Sequence, residues 1–482
     1  MAERMLKFTT VARKTPEKRA AEARNGDFHE IYADFIDAKA TEQASRCSQC
    51  GVPFCQTHCP LHNNIPDWLR MTAEGRLEEA YQLSQATNSM PEVCGRICPQ
   101  DRLCEGNCVI EQSGHGTVTI GSVERYLTDK AWEMGWVKPL AAGPARGQSV
   151  GIIGAGPAGL SAAEMLREDG YDVTVYDRHD RAGGLLIYGI PGFKLEKDVV
   201  ERRTQRLADG GVDFKLGFEV GRDASLQDLR DQHDAVLIAT GVYAAREMTV
   251  PGAGSEGVTP ALDYLIASNR VGLGDSVPEY DSGVLNAAGK DVVVVGGGDT
   301  AMDCVRTAVR QGATSVTCLY RRDKANMPGS LREVANAEEE GVIFEWLAAP
   351  RAVMGEATGV TGVRSIRMRL GAPDASGRQT PEEIEGGDFD RPAQLVVKAL
   401  GFEPENLPEL FGAPDLKTTR WGTVKADVRH QMTNLDGVFA AGDIVRGASL
   451  VVWAIKDGRD AADAIGRYLQ TKTGAAALIA AE

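Results

Sequence analysis

A chain of 482 residues, at roughly 150 residues per domain, holds about three domains and is not a single small module. Its 43% apolar and 25% charged residues are those of an ordinary globular protein, which excludes wholesale disorder. A formal net charge of −15 repels phosphate backbones and anionic lipid surfaces, so neither nucleic acid nor membrane is an expected partner.

Residues 1–145 are expected to be helical and to carry metal chemistry. Met1 to Lys7 offers no apolar run of signal-peptide length, and no later stretch reaches the 18 or so apolar residues of a membrane span. A cytoplasmic location is therefore expected. One helix is placed with Asn64 as N-cap, Pro66 in its first turn, and Trp68, Leu69, Leu77, Tyr81 and Leu83 on a helical period. Eight of the ten cysteines lie in this zone, as Cys47-x2-Cys50-x4-Cys55-x3-Cys59-Pro60 and Cys94-x3-Cys98-Pro99-x4-Cys104-x3-Cys108. In a reducing compartment such crowding points to metal or redox chemistry rather than to disulfides. Short spacings let several thiolates of one loop reach one cluster. The closing Cys-Pro is like bacterial ferredoxin runs, whose fourth cysteine can serve the other cluster. Two [4Fe-4S] clusters are the expectation. Two zinc sites are the alternative, but these want separated Cys-x2-Cys pairs and only one such pair exists. His58 and His62 are read as loop histidines, since thiolates already suffice.

A small, Pro- and Gly-containing linker runs from Ala141 to Gln148. From Ser149, short apolar strands alternate with helices, the pattern of a parallel α/β sheet. Gly154-Ala155-Gly156-Pro157-Ala158-Gly159 is a G-x-G-x-x-G directly after a strand and at a helix start. Gly154 suits the tight turn, Gly156 lets a pyrophosphate reach the backbone, and Gly159 lets helix and strand pack closely. The next strand ends in Asp177, 23 positions after Gly154, where a carboxylate accepts bonds from ribose hydroxyls.

Residues from about 243 to 290 are loop-rich and acidic, with no assignable chemistry. The same local design then returns: Asp291 to Val295 as strand and Gly296-Gly297-Gly298-Asp299-Thr300-Ala301 as turn, with Ala301 in place of the third glycine. Its second strand ends in Arg321 and Arg322. Guanidinium forks bind a 2′-phosphate that a carboxylate would repel, so NADPH rather than NADH is expected; the alternative is solvated surface charge. Cys304 and Cys318 are expected to be small core residues. Beyond Leu395 short strands return, and the chain ends in an amphipathic helix from about Ser449 to Leu469. An acid-terminated site for FAD, an arginine-terminated site for NADPH and iron–sulfur clusters make a two-to-one electron splitter. NADPH gives two electrons as a hydride, a cluster takes one, and a flavin handles both. No side chain is assigned acid–base catalysis.

On these motifs the chain resembles, over essentially its full length, the small (β) subunits of bacterial NADPH-dependent glutamate synthases. Four longer strings carry the resemblance further: Phe28 to Tyr32, Pro91 to Gly106, Gly189 to Lys197, and Tyr320 to Ser330. The same module is similar to the N-terminal half of dihydropyrimidine dehydrogenase and to electron-bifurcating NADPH:ferredoxin oxidoreductases. The resemblance implies an α/β fold of two Rossmann-like dinucleotide-binding domains, glutathione- and adrenodoxin-reductase-like, preceded by an α-helical double [4Fe-4S] domain. The expected boundaries are 1–145 for the iron–sulfur domain, 146–285 and 396–482 for the two parts of the FAD domain, and 286–395 for the NADPH domain.

The resemblance also implies an interleaved ligand set, with Cys47, Cys50, Cys55 and Cys108 on one cluster and Cys59, Cys98 and Cys104 on the other. The eighth place lies between Cys94, the conventional thiolate, and Glu124, which aligns with a glutamine ligand of dihydropyrimidine dehydrogenase. Glu124 is preferred because a non-thiolate ligand tunes potential. Further FAD contacts are implied at Gly183-Gly184-Leu185, at Ala239-Thr240-Gly241 and at Ala441-Gly442-Asp443. Asp443 would hold the ribityl chain, and Ser449 would open a helix whose N-terminus faces the flavin. The implied activity is electron input to a glutamate synthase, which converts L-glutamine, 2-oxoglutarate and NADPH to two L-glutamate. The implied partner is a large α subunit carrying flavin and iron–sulfur. This chain has Ala2 where a glutaminase has its N-terminal cysteine, and no length for a TIM barrel. Three rivals are a free-standing NADPH:ferredoxin or polysulfide oxidoreductase, a zinc-and-nucleotide scaffold, and a thioredoxin-reductase-like enzyme, whose paired cysteines are missing here.

Overall fold

A computed structural model describes residues 5–356, 359–375 and 377–480; Ala2 lies outside them. In the N-terminal zone, helices Asp37–Ala44, Ile65–Glu74, Leu77–Thr87, Pro91–Ile97 and Ile120–Glu133 bury Trp68, Tyr81, Val123 and Leu127 in one core. The Trp68 indole N–H donates to Asn63 Oδ1 at 2.9 Å, so the buried ring keeps its polar atom satisfied. The single helix expected from Asn64 through Leu83 is two. Gly75 adopts φ +78°, and its N–H bonds to the carbonyls of Met71 and Thr72, closing the first helix before Leu77 opens the second. The period of the apolar residues survived the break and disguised it.

The first sheet has five parallel strands in the order Val438–Ala440, Ala235–Ile238, Ser149–Ile153, Asp172–Asp177, Asp213–Leu216. Apolar runs such as Val150 to Ile153 are buried on both faces, as parallel strands must be when helices cover them. Helix Pro157–Glu168 packs on this sheet and on the C-terminal helix Val451–Ala480. Because Val438–Ala440 pairs with Ala235–Ile238, this unit is assembled from two stretches of chain. The final helix starts at Val451, and Ser449 lies in the turn before it.

The second sheet is also parallel, in the order Val258–Pro260, Leu395–Lys398, Asp291–Val295, Ser315–Tyr320, Ile343–Trp346. A boundary at 286 is therefore too late. Val258–Pro260 is the edge strand of this sheet, and helix Ala261–Gly272 packs against helix Asp299–Arg310. The stretch read as loop conceals that helix because its buried face includes Ser268 and Asn269, which dilute the apolar period. Strands Ala348–Glu356, Gly359–Pro373 and Gln379–Pro392 form a separate antiparallel sheet, laced on its exposed face by the pairs Arg351–Asp388 and Arg364–Asp390.

Buried ion pairs join the units. Arg203, on helix Lys197–Asp209 of the first unit, donates twice to Glu92 of the helical zone, both bonds at 2.8 Å. Arg306 and Arg310 share Glu340, and Phe193 of the first unit lies beneath both guanidinium groups, 4.4 and 4.0 Å from them.

Candidate cofactor-binding site

Each glycine turn sits where the strand order of its sheet reverses, the crevice in which such sheets bind nucleotides. Gly154 has φ +113° and Gly296 has φ +150°. A Cβ at either would stand 2.4 or 2.2 Å from the carbonyl oxygen of Ala239 or Ala399, so glycine is required for both reasons. Beside Gly156 and Gly298 nothing lies within 4 Å of a Cβ position, which leaves the N-termini of helices Pro157–Glu168 and Asp299–Arg310 open to a phosphate. Gly159 and the fully buried Ala301 take no part in that opening; they pack the helices onto their strands.

One cavity of about 260 Å³ is lined from both units. Gly154, Gly156, Pro157, Ala158 and Asp177 come from the first turn and strand, Leu185, Thr240, Gly241, Asp443 and Ser449 from the surrounding loops, and Asp299 and Thr300 from the second turn. Gly184 backs this wall in a positive-φ conformation against Gly156, and Gly442 lies against Ala158. Asp177 accepts the N–H groups of Ala155 and His179 at 2.7 and 2.8 Å, keeping lone pairs for a sugar. Burial pushes Asp443 up to about 6, against the Ser449 backbone bond that lowers it. Past Asp177 a smaller cavity of about 60 Å³ opens beside Arg178, Tyr243 and Glu405. Arg178 stacks on Tyr243 at 4.8 Å and pairs with Glu405 at 2.8 Å, a flat charged platform suited to a purine. Sequence reasoning missed these three, although Arg178 directly follows Asp177. It also missed Lys194 and Asp303, which line the larger cavity.

Arg321 and Arg322 do not line these cavities. Arg321 is exposed at the strand end, and Arg322 donates to the Gln379 carbonyl at 2.6 Å. Both lie close enough to Tyr320 to pull down a phenol that burial raises, and Arg378 joins them there. The strand end thus gathers three guanidinium groups, only two of which were expected.

The thiols divide between two further cavities. Cys47, Cys50, Cys55 and Cys108 line one; Cys59, Cys94, Cys98, Cys104 and Glu124 line the other. Burial pushes Cys47 up to about 11 and Cys55 and Cys59 up to about 12, so these groups ionise when a metal replaces the proton. Cys47 Sγ accepts two N–H groups from Gln49, at 3.4 and 3.3 Å. Glu124 Oε1 receives Asn63, Ser84 and Asn88 at 3.4 to 3.5 Å, and burial raises its carboxyl to about 8. Among the described residues, no three Cys, His, Asp or Glu side chains converge to hold a single metal ion. Thiols ringing a cavity fit a cluster, whose irons are spread apart, better than they fit one zinc. His58 and His62 are exposed outside both cavities, and Cys304 and Cys318 are fully buried in the second unit.

The large cavity and the two thiol cavities are neighbours that share walls. Cys98 lines both the large cavity and the second thiol cavity, and Ile120 lines both thiol cavities. Phe54, in the wall of the first thiol cavity, is 43% exposed and so marks where this series reaches the surface.

Comparison with known proteins agrees with this layout. Residues 24–136 match the family described as dihydropyrimidine dehydrogenase domain II, 4Fe-4S cluster, and residues 148–458 match pyridine nucleotide-disulphide oxidoreductases. The chain is 67% identical over 480 residues to the glutamate synthase (NADPH) small chain of Azospirillum brasilense, covering 100% of this chain and 99% of that one. It is 48% identical to the putative oxidoreductase AegA of Escherichia coli, over 96% of this chain and 71% of that one. The Mycobacterium tuberculosis FprA structure in complex with NADPH shares the fold, with a TM-score of 0.58 and 21% identity, over 68% of this chain and 86% of that one. Among the described residues no helix is long and apolar enough to cross a membrane.

Proposed function

The chain belongs to the glutamate synthase (NADPH) small-chain family, and from that premise we propose that it is the electron-input subunit of such an enzyme. It takes electrons from NADPH and delivers them to a large, flavin- and iron–sulfur-containing α subunit that forms two L-glutamate from L-glutamine and 2-oxoglutarate. The observation that carries this reading is the row of neighbouring cavities, sharing Cys98 and Ile120 as walls, from the paired glycine turns to the thiols beside exposed Phe54.

FAD and two [4Fe-4S] clusters supply the redox chemistry: the flavin takes two electrons and the clusters pass them singly. The chain's own residues bind, orient and insulate. Gly154, Gly156 and the helix behind them receive the FAD pyrophosphate, Asp177 the ribose, and Asp443 the ribityl chain. Gly296, Gly298 and Asp299 form the corresponding turn for NADPH, with Arg321 and Arg322 on its 2′-phosphate. Leu186, Ile190, Leu450 and Val451 give the large cavity its apolar wall. Cys59, Cys98, Cys104 and Glu124 hold the inner cluster, and Cys47, Cys50, Cys55 and Cys108 the outer one, which faces the partner. Thiolate-held clusters and the charge balance suit a cytoplasmic setting.

Isolation with the native partner and a metal and flavin count test this reading. One FAD and about eight iron atoms per chain are expected; a colourless protein overturns it. The likeness to AegA supports a second reading, an NADPH oxidoreductase with a different acceptor. Glutamate formation that requires both this chain and a large subunit decides between them.

A further inference from the structure

The two glycine turns differ where charge matters. In the first, Gly156 is followed by Pro157 and Ala158; in the second, Gly298 is followed by Asp299 and Thr300. A diphosphate seated on the N-terminus of helix Asp299–Arg310 therefore meets a carboxylate at the first helical position, which opposes it unless a cation offsets the charge. Asp299 Oδ1 accepts the Ser330 N–H at 2.9 Å, a bond that keeps the carboxylate beside the turn. The cations that line the large cavity are engaged elsewhere: Lys194 by Asp303, and Arg332 by Gln100 Oε1 and the Arg96 carbonyl.

The offsetting cation comes from outside both nucleotide-binding units. Arg102 Nη2 lies 3.5 Å from Asp299 Oδ2, across 197 positions of chain. Arg102 belongs to the loop of the helical zone that runs between Cys98 and Cys104. The same loop meets the second turn again where Ser330 Oγ donates to Asp101 Oδ1 at 3.5 Å. The Arg102 side chain is 45% exposed, and among the described residues Asp299 is its one ion-pair partner. A single contact at that distance leaves most of the guanidinium donors free. An arginine fork can hold two anions together, a carboxylate on one nitrogen and a phosphate oxygen on another.

We propose that Arg102 is the cation that meets the diphosphate of NADPH at the second glycine turn, so that the iron–sulfur domain completes the nucleotide site. This rests on the NADPH reading above.

NADP+ tests it without turnover. In the FAD-loaded full chain, Arg102→Ala is expected to weaken NADP+ binding about tenfold, and Arg102→Lys to restore part of the loss. Adenosine 2′-phosphate keeps the 2′-phosphate but lacks the diphosphate, so it should bind Arg102→Ala as it binds the wild type. Asp299→Asn keeps the acceptor for the Ser330 N–H and removes the opposing charge, so NADP+ should bind it more tightly. A pair that only latches the helical zone to the second unit would weaken NADP+ binding in both variants. Unchanged NADP+ affinity in Arg102→Ala, an equal loss for adenosine 2′-phosphate, or weaker or unchanged NADP+ binding in Asp299→Asn overturns the proposal. A wild-type chain that binds no NADP+ overturns the NADPH reading as well.

Discussion

Replacing Arg203 by Met should loosen the thiol-bearing helix Pro91–Ile97 from the flavin unit. In the native chain Arg203 Nε and Nη2 donate to the two oxygens of Glu92, and the side chains are 2% and 0% exposed. Methionine keeps much of the arginine stem's volume but removes both charge-assisted bonds, worth roughly 1.5–3 kcal/mol each. It also strands a carboxylate that no water reaches. Breaking a buried pair from one side costs about 3–5 kcal/mol, and that is the expected loss. The double variant Arg203→Met/Glu92→Met removes the stranded charge as well, so it should recover most of the loss even though the bonds are still absent. Urea unfolding followed by iron–sulfur absorbance, run on all four corners of the cycle, separates these contributions. Because the helix leads directly into Cys98, the single variant should also slow cluster reduction in stopped flow while flavin bleaching by NADPH keeps its rate. A single-variant cost below about 1 kcal/mol, or a double variant as unstable as the sum of the singles, would refute the reasoning.

Arg321→Ala removes an exposed guanidinium with little structural consequence. It should raise KM for NADPH about 10- to 100-fold and leave NADH unchanged, whereas an unaltered preference means that this arginine is only solvated charge. Arg322 is the less clean target, since it also holds the Gln379 carbonyl. At the inner thiol cavity, Glu124→Ala should reduce the iron count to about four per chain while Cys94→Ser leaves it intact; the opposite result makes Cys94 the ligand. Asp443 titrates near 6 in the folded apoprotein against an ordinary value of 3.8. The folded state therefore holds its proton more tightly than the unfolded one, so the cost of the buried charge builds as the pH rises from about 3.8 to about 6 and is fully present above that. Asp443→Asn should stabilise the apoprotein at pH 7.5 by about 1–3 kcal/mol, with the gap closing by about pH 4, while FAD binding weakens. Thermal melts of the two apoproteins at both pH values check this, and a gap that ignores pH would be inconsistent with a buried carboxyl.

The parts of the site that the sequence disclosed are those whose physics is local. A glycine turn, the strand before it and the acid or arginine ending the next strand lie within about thirty residues, and each residue type answers to a backbone or charge requirement there. The cysteine division is different in kind. Cys55 and Cys59 are near neighbours in the chain yet line different cavities, because the short helix Phe54–Thr57 turns the chain between them. Cys108 joins Cys47 only because Val118 and Ile120 close the wall behind both. No spacing rule encodes that closure, and only the family resemblance anticipated it.

The Gly189 to Lys197 string shows why recognition and understanding separate. Its letters marked the family, but two of its residues act on distant parts of the chain. Phe193 seats two arginines of the second unit, and Lys194 reaches Asp303 across 109 positions. Such a segment has no periodicity of its own, since its partners impose its conformation; propensity and patterning are silent there. Its side chains touch both nucleotide-binding units at their shared cavity. A change in it should therefore disturb communication between NADPH and flavin before it disturbs either unit's fold.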